Sequence, residues 1–280
     1  MLRVLILSLM MILIPLQAMD ENAIRTYMEK YIKEKTKGSI KKIDILSSYP
    51  VPGAESWQVN FLAMKVDIDF AGAKQDATIY QTVFTKGEKI TFKLMKKGKN
   101  GSRDLEYADF LKPKVPFDAY DNAHFLMGSP NAPHKIVVFS DPFCPYCREK
   151  IPEIMEVVKA NPNTYGLYYY HFPLVRIHPA ADLTTKAMHI FQRQGDVKNM
   201  MALYDLFIEP EEKNTNEILK AIKEKTGVKF TLAELQSEEV IEALRIDMAM
   251  QNRLQVTGTP TIFIDGMWDK MRTEYKKYAK

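Results

Sequence analysis

The chain carries only two cysteines in 280 residues, Cys144 and Cys147, and they stand three positions apart in the run FSDPFCPYCREKIPEIM. Such a pair can close a redox disulfide, supply half of a metal site, or carry no chemistry. A structural bridge stabilises most when it closes a long loop, and this one closes almost none. Reactivity is therefore the better reason for the pair. A structural zinc site takes four protein ligands. No second Cys-x-x-Cys exists, and the five histidines (His124, His134, His171, His178 and His189) form no paired ligand spacing. No metal is expected, and His171 and His178 read as structural or surface residues.

The elements around the pair decide which cysteine reacts. His134-Lys135 followed by IVVFS is a short apolar run of the kind buried on both faces of a sheet. The run REKIPEIMEVVKA places Ile151, Ile154, Met155 and Val158 on one side of a helix. Cys144 then sits at a helix N-terminus, where unpaired backbone N–H groups and the helix dipole stabilise an anion. Pro145 suits the first helical position, because its missing N–H has no intrahelical partner to lose. The amides of Tyr146 and Cys147 remain free to point at the Cys144 sulfur and lower its pKa below about 8.5. Cys147, one turn in, is less exposed. An attacking Cys144 and a resolving Cys147 follow, working through a mixed disulfide. Asp141, just before Pro142 and the helix start, reads as a cap or turn residue. A second stretch, Thr257-Gly258-Thr259-Pro260, precedes the apolar run TIFID; a proline opening a strand is tolerated, so alone it is a plain turn.

The N-terminal run MLRVLILSLMMILIPLQAMD has Arg3, an apolar stretch from Val4 to Leu16, and Gln17-Ala18. This is the layout of a secretory signal peptide cleaved after Ala18. The stretch is short for a membrane span, which needs about 20 apolar residues, and no cysteine follows it for lipidation. Export places the cysteine pair in an oxidising compartment. Hydrophobic residues make up 46% of the chain and the net charge is +4, with acids and bases interspersed. That composition supports buried cores and leaves no nucleic-acid footprint. The basic tail KMRTEYKKYAK reads as the solvated face of a last helix.

Along the mature chain, Ile24, Tyr27, Met28, Tyr31 and Ile32 form one stripe of an amphipathic helix over Glu21 to Lys37, stopped by Gly38. Alternating segments around Ile40 to Leu46, Trp57 to Phe70, Ala77 to Thr85 and Lys89 to Met95 then predict a four-stranded antiparallel meander. A unit of this size is marginal alone, which favours pairing with a second copy. Residues 97–132, punctuated by prolines at 113, 116 and 130 and followed by Pro133, read as a linker. From 133 the order is strand, helix, strand, a helical stretch from about Ala180 to Arg253, the GTPTIFIDG strand and a terminal helix. The expected division is 1–18 signal peptide, 19–96 N-terminal domain, 97–132 linker and 133–280 second domain.

Together, Cys-Pro-Tyr-Cys after a buried strand and Thr-Pro before a later strand resemble the thioredoxin fold. The second half is similar to the periplasmic thiol:disulfide interchange proteins of the DsbC/DsbG family, with SDPFCPYC and GTPTIFIDG carrying the likeness. The N-terminal helix plus meander resembles that family's cystatin-like dimerisation domain. The implied fold class is α+β in two domains, the second a thioredoxin fold with a helical insertion. The resemblance implies that Cys144 is the nucleophile and Cys147 the resolving thiol, with Pro145 and Tyr146 tuning the potential. It implies a cis Pro260 against the cysteines and a Thr259 backbone that pairs with an extended substrate segment. It also implies a periplasmic homodimer and no cofactor. One departure stands out: thioredoxins carry a buried acid six residues before the first cysteine, where this chain has Val138.

The leading expectation is a disulfide isomerase or reductase acting on unfolded or misoxidised exported proteins, kept reduced by a DsbD-like membrane partner. The alternative is a DsbA-like oxidase recharged by a DsbB-like partner, for which HFPLVRIHPAA between the motifs is a further resemblance. A holdase chaperone independent of redox turnover is the third reading.

Overall fold

The computed structural model describes residues 19–36, 38–70, 73–98 and 103–279. The expected signal peptide, 1–18, lies outside the described residues. The chain divides into two compact units, one ending at Asp109 and the other spanning Phe110–Lys280.

In the first unit, α1 (Glu21–Thr36) precedes β1 (Ser39–Val51), β2 (Ala54–Phe70), β3 (Ala73–Lys86) and β4 (Lys89–Thr91). The strands form an antiparallel sheet in the order β1-β2-β3-β4. This is the helix and meander that the periodicity predicts. Ile24 and Met28 of α1 pack on Ile43, Leu62, Met64, Val66 and Val83. Leu62, Met64 and Val66 share one face of β2 because successive side chains alternate across a strand. A two-stranded ribbon, β5 (Met95–Lys96) with β6 (Leu105–Glu106), ends the unit.

The second unit contains β7 (Phe125–Gly128), β8 (His134–Ser140), α2 (Pro145–Ala160) and β9 (Tyr165–His171). The helices α3 (Ala181–Arg193), α4 (Val197–Ala202), α5 (Thr215–Thr226), α6 (Leu232–Leu235) and α7 (Glu238–Arg253) follow, before β10 (Thr261–Ile264) and β11 (Met267–Trp268). Its sheet runs β11-β10-β8-β9-β7. β8 and β9 are parallel, while β10 and β7 pair antiparallel on either side of them. β8 is buried on both faces. Ile136 and Val138 join the core beneath α2 and α3, and Val137 and Phe139 join a second core with Tyr168, Tyr170, Leu254 and Phe263. No helix among the described residues is long and apolar enough to cross a membrane.

Two expectations differ from the structure. Residues 110–132 pack within the second unit rather than serving as a linker, because β7 completes the sheet edge beside β9. The backbone of Val115 donates to Gly266, and Tyr170 donates its hydroxyl proton to the Ala119 carbonyl. Pro116 precedes the 3-10 turn Phe117–Ala119, and Pro130 lies in a tight turn. The tail also forms only a 3-10 turn, Glu274–Tyr278, in place of a terminal helix. Its start is held by Asp269, which accepts from the Glu274 amide at 2.7 Å, and Tyr275 is fully buried.

Candidate active site

Cys144 is the N-cap of α2 and Pro145 opens the helix, so the thiol sits where unpaired amides converge. The two cysteines are adjacent and are not in a disulfide. Their environments differ sharply. Cys144 is lowered to about 5. The leading cause is the hydrogen bond from the Cys147 thiol, which outweighs burial; the Thr259 side chain and the amides of Cys147 and Tyr146 add to it. Cys147 is fully buried and pushed far up, first by loss of solvent and then by its role as donor to Cys144. At neutral pH one sulfur is thiolate and its neighbour is a thiol.

The loop that carries Cys144 is organised by Asp141, whose side chain is fully buried. Its Oδ1 accepts from the amides of Phe143 at 2.6 Å and Cys144 at 3.0 Å, and its Oδ2 from the Leu174 amide at 2.6 Å. The His178 ring Nδ1 lies 3.1 Å from Oδ1. Asp141 therefore does act as a turn residue, but it also ties the active loop to the segment after β9. His178, read from sequence as structural, is one of its partners. Arg148 Nε donates to the Pro142 carbonyl at 2.8 Å, and its guanidinium lies over the Phe143 ring.

The second motif reaches the first only through the fold. Pairing of β10 with β8 sets Thr261 opposite Phe139, which brings the Thr259 carbonyl to 3.4 Å from the Cys144 sulfur. The Thr259–Pro260 bond is cis, and the Thr259 hydroxyl is buried with no other partner. Pro260 is buried, whereas Tyr146 is 63% exposed, with the Arg272 guanidinium 5.6 Å from its ring centre. Cys144, Cys147 and Thr259 thus lie together, with Pro260 buried next to Thr259 in the chain, and Tyr146 faces outward.

Sequence reasoning missed the hydroxyl groups behind Cys147. Ser140 and Tyr204 are within 2.6 Å of each other, and Tyr204 and Tyr169 within 2.5 Å. Ser140 was legible as the end of a buried strand, but no local signal ties Tyr204, more than fifty residues on, to the cysteines. Val138, six positions before Cys144, is fully buried and apolar. The histidines do not gather on the cysteines: His171 is held neutral, first by burial and then by nearby histidines, and His189 is lowered to about 4 chiefly by burial. Among the described residues, no group of three or more His, Cys, Asp or Glu is placed to hold a metal ion.

A sequence model of the family described as Thioredoxin matches residues 121–279. The chain is 29% identical over 152 residues to a probable disulfide bond formation protein D of Bacillus anthracis, covering 50% of this chain and 69% of that protein. A protein of the same name from Bacillus cereus is 28% identical over 152 residues, with the same coverage. Among solved structures, BdbD from Bacillus subtilis (oxidised) is 15% identical with a TM-score of 0.48, covering 59% of this chain and 92% of that one. A Cys-Pro-Tyr-Cys turn at a helix start beside a five-stranded sheet, and a family match over more than half of the sequence, place the chain in the thioredoxin family.

Proposed function

We propose that the protein is an exported thiol:disulfide oxidoreductase in which Cys144 is the exchanging sulfur and Cys147 the resolving one. The observation that carries this is the split between the sulfurs, with Cys144 lowered to about 5 and Cys147 buried and raised. A stabilised thiolate favours the reduced protein, and an oxidoreductase whose reduced form is stabilised passes its disulfide on. The chemistry therefore favours disulfide donation to exported proteins, the runner-up among the sequence expectations. Thr259 would pair through its backbone with an extended client segment while Pro145 and Tyr146 tune the potential. The redox partner would be a membrane oxidant of the DsbB kind.

The isomerase or reductase reading, with DsbC/DsbG membership, a DsbD-like partner and a periplasmic homodimer, is supported by the separate N-terminal unit of helix and four-stranded sheet. Thiol trapping in intact cells tests the two. Cys144 and Cys147 recovered mainly as a disulfide supports the donor; a mainly dithiol pair, together with a dimer by light scattering, supports the isomerase. A Cys144→Ala, Cys147→Ala protein that retains full client activity would sink both in favour of a holdase.

A further inference from the structure

The second unit carries six arginines, and they fall into two groups. Arg193 on α3 and Arg245 and Arg253 on α7 are ion-paired, with Glu239, Glu242 and Asp118 in turn. Arg148, Arg176 and Arg272 make no ion pair among the described residues. These three come from separate parts of the chain, and each is tied to the cysteine turn.

Arg148 stands four residues after Cys144 on α2. Its Nε donates to the Pro142 carbonyl at 2.8 Å, its guanidinium carbon is 5.2 Å from the Phe143 ring centre, and its Nη2 is buried without a hydrogen-bond partner. Arg176 is exposed in the segment after β9. Two residues before it, the Leu174 amide donates to Asp141 at 2.6 Å, and two residues after it the His178 ring lies 3.1 Å from the same carboxylate, which also accepts from the Cys144 amide. The His178 ring centre is 6.4 Å from that of Phe143. Arg272 follows β11, with its guanidinium carbon 5.6 Å from the ring centre of the exposed Tyr146. Its φ of +58° lies in the left-handed region that side-chain-bearing residues seldom adopt, and its amide donates to the Asp269 carbonyl at 3.2 Å. Backbone strain of this kind persists where the surrounding structure holds it, and it clusters at functional sites.

The acids nearby are already engaged. The Asp141 carboxylate is buried with the Phe143, Cys144 and Leu174 amides and the His178 ring. Glu149 pairs with Lys150, and Glu153 with Lys150 and Lys276. Three guanidinium groups around the redox turn are therefore left without a counter-charge. A guanidinium presents a planar fork of N–H donors that matches a carboxylate. Contact with the Phe143 and Tyr146 rings restrains two of the three, which lowers the ordering cost of binding.

We propose that Arg148, Arg176 and Arg272 form a recognition surface for acidic client segments, so that a cysteine flanked by Asp or Glu is the preferred partner of Cys144. This deepens, and rests on, the reading of Cys144 as the exchanging sulfur. Chemistry at the sulfur is unchanged; the arginines select which polypeptide reaches it.

The test compares alkylation of Cys144 by iodoacetate, an anion, with alkylation by iodoacetamide, its neutral analogue, in the reduced full-length protein. The ratio of the two rates cancels changes in thiolate fraction and general damage to the fold. At low salt, Arg176→Gln and Arg272→Gln should each lower the ratio about two- to threefold, the effect of removing one unit charge several ångströms from the sulfur in water. The difference should fade near 1 M salt, where the Debye length is about 3 Å. Arg245→Gln removes the same charge from α7 and should leave the ratio at the wild-type value. A second arm reduces the oxidised protein with two cysteine peptides, one carrying Glu and one Gln on each side of the cysteine. The Glu-to-Gln rate ratio should fall about fivefold in the Arg176→Gln, Arg272→Gln double variant. If neither single variant lowers the alkylation ratio, or Arg245→Gln lowers it equally, the proposal is overturned. If iodoacetate responds but the peptide ratio does not change, an acidic client segment is overturned as the partner. If iodoacetamide finds no reactive thiolate at Cys144 in wild type, the underlying reading fails instead.

Discussion

At the scale of single residues, the two sulfurs divide their roles because one sits at a helix start and the other inside the core. Iodoacetamide alkylation of the reduced protein should show a Cys144 midpoint near pH 5. The reduction potential should fall by about 30 mV per pH unit above that midpoint, where the reduced form holds one proton, and by about 59 mV below it. A uniform slope through pH 5 would mean that Cys144 is not a stabilised thiolate. The same asymmetry affects folding. The depressed folded pKa of Cys144 contributes stability that is full above its unfolded value of about 8.5 and is lost as pH falls through about 5. Cys147, raised by burial, takes stability away only above about pH 8.5. The reduced protein should therefore melt above the oxidised one at pH 7, with the margin shrinking toward pH 5 in a thermal scan. Asp141 is a separate case. Asp141→Ala leaves the buried Phe143 amide and the half-buried Leu174 amide without their carboxylate acceptor, which should cost about 3 kcal/mol in urea unfolding.

At the scale of elements, the strand pairings bring the two motifs together. β10 beside β8 brings Thr259 to Cys144, and β9 beside β8 brings Tyr169 to the hydroxyl series. The edge strand β7 depends on Gly128, whose φ of +87° disfavours L side chains. A Cβ there would lie 2.1 Å from the Tyr165 carbonyl oxygen. Gly128→Ala should destabilise the second unit by about 3 kcal/mol, from combined overpacking and backbone strain. Differential scanning calorimetry should register this as a loss of roughly 6–12 °C in Tm. An unchanged Tm would mean that β7 is dispensable to the sheet. This strand shows the limit of local reading: a four-residue segment between prolines has too little periodicity to distinguish an edge strand from a linker.

At the scale of the whole molecule, each unit has its own apolar core among the described residues. A fragment beginning at Phe110 should therefore unfold cooperatively and exchange its disulfide with dithiothreitol at the full-length rate. A fragment that is molten or inert would show that the first unit completes the redox domain. Much of this architecture is local and was readable in advance. The 3.6-residue stripe of Ile24, Met28 and Ile32 specifies α1, the alternation through Leu62, Met64 and Val66 specifies β2, and Cys-Pro-Tyr-Cys after an apolar run specifies a thiol at a helix start. These features depend on the spacing of neighbours along the chain, so the amino-acid order alone determined them. The tertiary structure decided what meets across the chain: Thr259 at the Cys144 sulfur, His178 at Asp141, and Tyr204 with Tyr169 behind Ser140. Those contacts depend on strand order and helix packing, in which residues distant in sequence become neighbours only when they share a buried, low-dielectric interior.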